Sequence, residues 1–400
     1  MPDRARRARR GWILLTAAVA SGTVAVLALL ALAGWDAAYA SRVLVHRGSS
    51  TADHEWKAHG LAVEPSAPRS ATPTDCSADP HGDAAVGWRG EKVRLADYLE
   101  ASAADALVIV RDGATACEWT RDGAVAIDPH AAFSVSKTVL ALLVARAVEA
   151  GELDYDDPIT RHVAELRDRD ARFEEITIGD LVDMRSGIAF DADVGFPWVT
   201  EDQTAIYFAS DIVETVLDRS TIEAPSGEFR YNDYAPNLVG LALERASGTS
   251  AVDEPFADLW RSLPAEAPAW WLVDDHGFAW HESGLMVAPR DLARLGSEVL
   301  AVTHGAPSEA VPASFVERSL DPEGRAHATV FGDVAVAYRN GWWLLDDGAG
   351  GVDLVAMGDH GQLVLVSPSN RAVVVRMGTD TVDETNIDIA RTLQRLAAGS

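Results

Sequence analysis

The sequence predicts an α+β fold of two lobes. An antiparallel sheet is built from N- and C-terminal strands and flanked by helices, and a large, mostly helical insertion interrupts it over about residues 150–320. Three observations carry this. First, the buried run Ala106-Leu107-Val108-Ile109-Val110 is followed by the turn signal Asp112-Gly113 and a return strand at 116–119. Second, five more strand runs crowd the end of the chain, at 334–338, 341–345, 352–357, 363–366 and 372–377, divided by Asp346-Asp347-Gly348, Gly350-Gly351 and Pro368-Ser369-Asn370. Third, the region between reads as helix and loop, with helices expected at 178–184, 201–217, 238–244 and 290–300. A short helix over 93–102 precedes the first strand, and a helix over about 384–397 closes the chain.

The chain opens differently. Residues 1–10 hold five arginines and one aspartate, and residues 11–33 hold no charged residue and are rich in Leu, Ala and Val. Twenty-three such residues are long enough to cross a bilayer with some tilt. Arginines before the run keep the N-terminus in the cytoplasm. A cleaved signal peptide is the competing reading, and Ala38-Tyr39-Ala40 offers a cleavage site, but its apolar core would be only about 7–15 residues long. The expected order is therefore a cytoplasmic tail at 1–10, a transmembrane anchor at 11–33, an extracytoplasmic connector at 34–84 and a folded domain over 85–400, held at the cell membrane by one helix. Pro65, Pro68, Pro73 and Pro80, among many Ser, Thr and Ala, suit a partly extended connector.

The formal net charge of −27 deepens to about −31 once the basic tail is set aside, which argues against nucleic acid or anionic lipid as a partner of the folded part. The two cysteines, Cys76 and Cys117, either pair as a disulfide in an exported protein or stay as buried thiols. No Cys/His spacing suits a metal, and His276, His281 and Glu282 read as ordinary polar positions.

Chemistry is concentrated in Phe133-Ser134-Val135-Ser136-Lys137-Thr138-Val139-Leu140. Leu140, Leu143, Val144, Ala147 and Val148 continue at helical spacing, and Gly151 suits a C-terminal cap. Residues three apart share a helix face, so the Lys137 amine reaches the Ser134 hydroxyl. A helix start also offers N–H groups to a developing negative charge. Of 34 Lys and Arg, only Lys57, Lys92 and Lys137 are lysines. Arginine stays protonated whereas lysine can act as a base, so a lysine kept here points to amine chemistry; a serine cap beside an exposed lysine is the bland alternative.

Two later stretches add to it. Tyr231, in Phe229-Arg230-Tyr231-Asn232-Asp233, precedes a helix from about 235, and a nearby lysine ammonium would favour its phenolate as a general base. In Gly358-Asp359-His360-Gly361-Gln362, a glycine at a strand start lets a substrate approach the backbone, and the Gln362 N–H would be an oxyanion donor. Taken singly, each is more often a plain core or turn residue.

Order and spacing join the three. Ser134-x-x-Lys137, then Tyr231-Asn232-Asp233 with Leu238-Val239-Gly240, then His360-Gly361-Gln362 resembles the serine hydrolases of the class C β-lactamase and penicillin-binding-protein type, which include esterases and 6-aminohexanoate-dimer hydrolases. Gly151-Glu152-Leu153-Asp154 and the text from Ile176 to Ile188 agree, and the resemblance covers roughly 85–397. It implies a β-lactamase/transpeptidase-like fold and cleavage of a small ester or amide through an acyl-enzyme. Ser134 would be the nucleophile, Lys137 and Tyr231 would move protons, Gln362, Gly361, His360 and Asp233 would bind oxyanion or substrate, and no cofactor would be needed. Asp233 and Asp359 stand where better-known relatives carry Asn, Ser, Lys or His, which disfavours an anionic substrate. A non-catalytic binding member of the fold, a D,D-peptidase and a β-lactamase are the alternatives. The loop 189–200, with Phe196 and Trp198, is a candidate pocket wall.

Overall fold

The structure, a computed structural model, describes residues 36–68, 70, 74–76, 85–121, 126–192, 201–224, 226–330, 334–382 and 384–399. The expected anchor at 11–33 and the aromatics Phe196 and Trp198 lie outside these residues. No helix among the described residues is long and apolar enough to cross a membrane.

The chain forms two compact units, one of residues up to 49 with 191–210, the other of 50–190 with 211–400. In the first, helix α1 (Ala37–His46) starts at Asp36, whose carboxylate accepts from the Ala38 and Tyr39 N–H groups. Arg42 Nη1 donates to the Ala209 carbonyl at 2.8 Å, and the Ser210 hydroxyl donates to Asp36. Residues 37–46 fall within the stretch expected to be a partly extended connector. A capping aspartate followed by Ala-Ala-Tyr-Ala is instead enough to start a helix.

The second unit carries the strands. In chain order they are β1 (Ala58–His59), β2 (Ala85–Trp88), β3 (Glu91–Arg94), β4 (Ala104–Arg111), β5 (Ala114–Thr120), β6 (His130–Ala131), β7 (Trp270–Val273) and β8 (Leu285–Val287). They continue as β9 (Ala326–Val330), β10 (Val334–Arg339), β11 (Trp342–Asp346), β12 (Val352–Gly358), β13 (Gln362–Ser367) and β14 (Ala372–Gly378). Among the described residues, eight strands make one sheet in the order β5-β4-β14-β13-β12-β11-β10-β9. Every pairing in it is antiparallel. As expected, the two ends of the chain meet at the β4–β14 pair, where Val108 faces Val375.

Every residue of β13 and β14 is buried, and within them 363–366 and 372–375 are unbroken apolar runs rather than an alternation. Helix α2 (Leu95–Ala101) starts later than expected, because residues 91–94 pair with β2 as a hairpin. Helix α3 (Ser136–Glu149) ends at Gly151 in the left-handed region, φ +74°. Helix α4 (Tyr234–Ser247) is longer than its predicted 238–244 core. Helix α5 (Pro289–Thr303) packs on β13, β14 and β4, and a Cβ at its Gly296 would lie 2.7 Å from Val373, so the bare glycine sets that approach. Helix α6 (Asn386–Ala398) also packs on β12, β13 and β14. The helix expected over 201–217 is two, Asp202–Tyr207 and Ile212–Arg219; Asp211 accepts from the Glu214 N–H and starts the second.

A smaller sheet runs β1-β7-β8-β6. Its edge, β1, comes from the stretch expected to be connector, where Ala58 faces Val273. The same stretch carries Cys76, which forms a disulfide with Cys117 of β5. Beside the bridge, Glu118 and Glu266 flank Arg290 of α5 in a buried ionic cluster, each at 2.8 Å.

Candidate active site

Ser134 lies in the 3₁₀ turn Phe133–Val135, which runs directly into α3. Neighbours fix this turn from two sides. The Ala132 N–H donates to the Leu285 carbonyl at 2.8 Å, and the Leu285 N–H donates to the Ser136 hydroxyl at 3.1 Å, tying the turn to β8. Thr138 donates to the Gly341 carbonyl at 2.7 Å, tying α3 to the β10–β11 hairpin. Phe133 itself has φ +46°, a left-handed conformation that costs a bulky residue about 1–3 kcal/mol and persists only where the surroundings impose it. Its ring packs on His360 at 5.0 Å.

The first two motifs converge as expected. Lys137 is buried, and its ammonium donates to the Ser134 hydroxyl at 2.8 Å and to the Glu282 carbonyl at 3.0 Å. It pairs with the Asp233 carboxylate at 2.8 Å. Tyr231, just before α4, brings its ring to 4.9 Å from the same nitrogen and lies against both Ser134 and Lys137. The Tyr231 ring stacks on Trp343 at 5.5 Å and meets Tyr338 edge-on at 6.1 Å, so β10 and β11 hold the phenol in place. Ser134 stays partly accessible while Lys137, Asp233 and Asn237 are buried.

Burial opposes the Lys137 charge, but Asp233 and Tyr231 outweigh it and hold the ammonium pKa above its ordinary value. Burial pushes the Tyr231 phenol upward, Lys137 pulls it down, and Asp233 pushes it up again; the net direction is up. The lysine favours the phenolate as expected, but burial and a second negative charge outweigh it.

The third motif is also corrected. The Gln362 N–H donates to the Asp359 carbonyl within the turn Asp359–Gly361, and its side chain donates to Gly378 at 2.6 Å, so Gln362 ties the turn to β14 rather than offering an oxyanion donor. Gly361 has φ +78°, and its open face is taken by Arg376, whose Nη1 donates to the Gly361 carbonyl at 2.5 Å. No room is kept there for a substrate: a Cβ would lie 2.1 Å from that nitrogen. Gly358 is the residue that approaches the nucleophile. A Cβ on it would stand 3.1 Å from the Ser134 nitrogen and 2.5 Å from the Ala132 carbonyl oxygen. His360 is half-buried on Phe133, and the Asp359 side chain is exposed.

Two groups near Lys137 escaped the sequence reading. The Glu282 side chain is buried and accepts from Asn237 Nδ2 at 2.8 Å, not an ordinary surface polar position. Lys57 is buried with its Nζ 4.0 Å over the Trp280 ring. The scarcity of lysine that singled out Lys137 applied equally to Lys57. Among the described residues no group of His, Cys, Asp and Glu could hold a metal ion.

Comparison with known proteins gives the family and the fold. The beta-lactamase family matches residues 82–399. The chain is 26% identical over 297 residues to the 6-aminohexanoate-dimer hydrolase of Paenarthrobacter ureafaciens, covering 71% of this chain and 75% of that one. It is 29% identical over 217 residues to esterase EstB of Burkholderia gladioli, covering 48% and 51%. Among solved structures, a protein assigned as a 6-aminohexanoate-dimer hydrolase from Bacillus anthracis superposes with TM-score 0.74 at 20% identity, over 88% of this chain and 93% of that one. The octameric penicillin-binding protein homologue of Pyrococcus abyssi superposes with TM-score 0.57 at 17% identity, over 76% of each. The fold is that of the β-lactamases and penicillin-binding proteins, and the chain belongs to the beta-lactamase family of serine hydrolases.

Proposed function

We propose that this protein cleaves a small ester or amide through an acyl-enzyme formed on Ser134, outside the cytoplasm. The observation that carries the reading is the contact of Lys137 Nζ with the Ser134 hydroxyl at 2.8 Å, at a helix start and with Tyr231 against both. The Ser134 oxygen attacks the carbonyl carbon while the Lys137–Tyr231 pair takes the hydroxyl proton. The same pair returns that proton to the leaving group, and water then releases the acyl group by the reverse sequence. The Ser134 N–H, together with the β12 end at Gly358, faces the developing oxyanion; such a donor is worth about 10²–10³-fold. Two carboxylates in or beside the site, Asp233 and Asp359, favour a neutral or cationic acyl donor. The names of the curated relatives, an amide-dimer hydrolase and an esterase, support the same reaction class. Export and anchoring are supported by the arginine-led uncharged run at 11–33 and by the Cys76–Cys117 disulfide, which needs an oxidising compartment.

The test is a panel of p-nitrophenyl esters, linear amides and a fluorescent penicillin. Esters or amides should turn over, and Ser134→Ala should lower turnover by at least about a thousandfold and abolish fluorophosphonate labelling. Full activity in Ser134→Ala would overturn the assignment. Covalent capture of the penicillin without ester turnover would move it to the D,D-peptidase and β-lactamase class.

A further inference from the structure

The acyl-transfer chemistry uses the Glu282 backbone but not its side chain. That side chain is 1% exposed, and its two oxygens accept from Asn237 Nδ2 at 2.8 Å and from the Ser283 hydroxyl at 3.1 Å. Asn237 Nδ2 also donates to the Asp233 carbonyl at 2.8 Å, so one amide joins the two acidic residues that flank Lys137. The charged or titratable groups facing the carboxyl are Asp233 at the start of α4, Lys137 from α3 and Lys57 from the segment before β1. His281, next to it in the chain, is pushed down to about 3 by burial and is neutral. Tyr231 reaches this group through Lys137.

We propose that Glu282 is a positioning residue that sets the proton occupancy of the Lys137–Tyr231 pair, which gives up its proton most readily while the Glu282 carboxyl holds one. The proposal rests on Ser134, Lys137 and Tyr231 acting as described above. To accept the Ser134 proton, the pair must first lose one, from the ammonium or from the phenol. Either loss removes a unit of positive charge, and an ionised carboxylate nearby opposes both. The linkage is reciprocal: the proton that leaves the pair goes to solvent, and the loss of that positive charge makes the Glu282 carboxyl hold its own proton more tightly. The neutral amine then takes the Ser134 proton as the bond from Oγ to the carbonyl carbon forms.

Two features fit this role. Burial, then the neighbouring Asp233, push the Glu282 carboxyl up to about 7, against the pull of Lys137 and Lys57. Its protonation therefore changes in the range where an exported hydrolase works. Lys57 lies outside the part of the chain that the family matches, residues 82–399. The N-terminal segment thus supplies one of the two cations that loosen this carboxyl's hold on its proton.

The experiment compares the pH profile of kcat/KM for an activated ester in wild type and Glu282→Gln, with infrared titration of the carboxyl in wild type and Lys57→Met. Glutamine keeps the shape and can accept from Asn237. The acidic limb should move down by about one pH unit or more in Glu282→Gln, roughly tenfold in rate on that limb. A purely structural role would lower the amplitude and leave the limb in place, and that result overturns the proposal. If Glu282→Gln does not fold, the infrared titration decides: a buried carboxyl band should titrate near neutral pH in wild type and at higher pH in Lys57→Met, and an unmoved or missing band overturns it. The infrared result does not depend on turnover. An active Ser134→Ala would therefore sink the catalytic reading while leaving the carboxyl titration standing.

Discussion

The Asp233 carboxylate meets the Lys137 ammonium at 2.8 Å, with the two side chains 9% and 3% exposed. In this chain the lysine beside the nucleophile is thus held as a cation by a charge rather than by neutral hydrogen bonds alone.

Removing that charge should cost stability. Burial works against the ammonium, yet Asp233 and Tyr231 raise its pKa above the ordinary lysine value. A base whose folded pKa is raised contributes stability that is fully present below its unfolded value and is lost as pH rises through the folded one. Asp233→Asn should therefore lower unfolding stability by about 3–5 kcal/mol at neutral pH, the range for breaking a buried ion pair, with the deficit fading only in strongly alkaline solution. Urea titrations at neutral and alkaline pH measure this, and an equal deficit at both would show that the pair is not its source.

Tyr231→Phe separates chemistry from packing. The ring keeps its stack on Trp343, 5.5 Å away, so unfolding stability should change by no more than about 1 kcal/mol. Loss of the hydroxyl should lower kcat by about 10²–10⁴-fold with KM little changed. Steady-state kinetics beside a thermal melt give both numbers.

The two glycines of the late turn should respond differently. Alanine at Gly361 meets Arg376 at 2.1 Å and needs φ +78°, so it should cost about 2 kcal/mol or more in stability, while each folded molecule keeps its activity. Alanine at Gly358 presses on the Ala132 carbonyl at 2.5 Å and on the Ser134 nitrogen at 3.1 Å. A displacement of about 1 Å there should cost on the order of 100-fold in kcat/KM. Active-site titration with a fluorophosphonate, to count competent enzyme, distinguishes the two.

Reduction of Cys76–Cys117 should lower stability by about 2–4 kcal/mol, since the bridge closes a loop spanning a sequence separation of 41. Melting the protein with and without dithiothreitol checks this. An unchanged melting temperature would mean that the pairing around Asp75 and Glu118 holds the segment unaided.

How much of this was legible in the sequence depended on distance along the chain. Ser134 and Lys137 lie one helical turn apart, so a local pattern placed them together, and Tyr231 followed from order and spacing. The sheet was legible because its strands are apolar runs between turn signals, and even the joining of the two chain ends was expected. The late turn was misassigned because a glycine announces a close approach without naming what approaches. At Gly361 it is Arg376, and at Gly358 it is the nucleophile's own turn. The break between the helices Asp202–Tyr207 and Ile212–Arg219 was missed because Asp211 reads as an ordinary helix-surface residue until its carboxylate is seen to accept from Glu214. Lys57 and Glu282 were missed because their relation exists only in space.

The pairing of β1 with β7 has one more consequence. By covering that edge, two residues from before the matched region pair with Val273 and Leu272 of the strand that also carries Trp270 and Trp271. An enzyme trimmed to residues 82–399 would present a bare, tryptophan-bearing strand ready to pair with its twin in another molecule, and its first defect would be precipitation rather than lost catalysis.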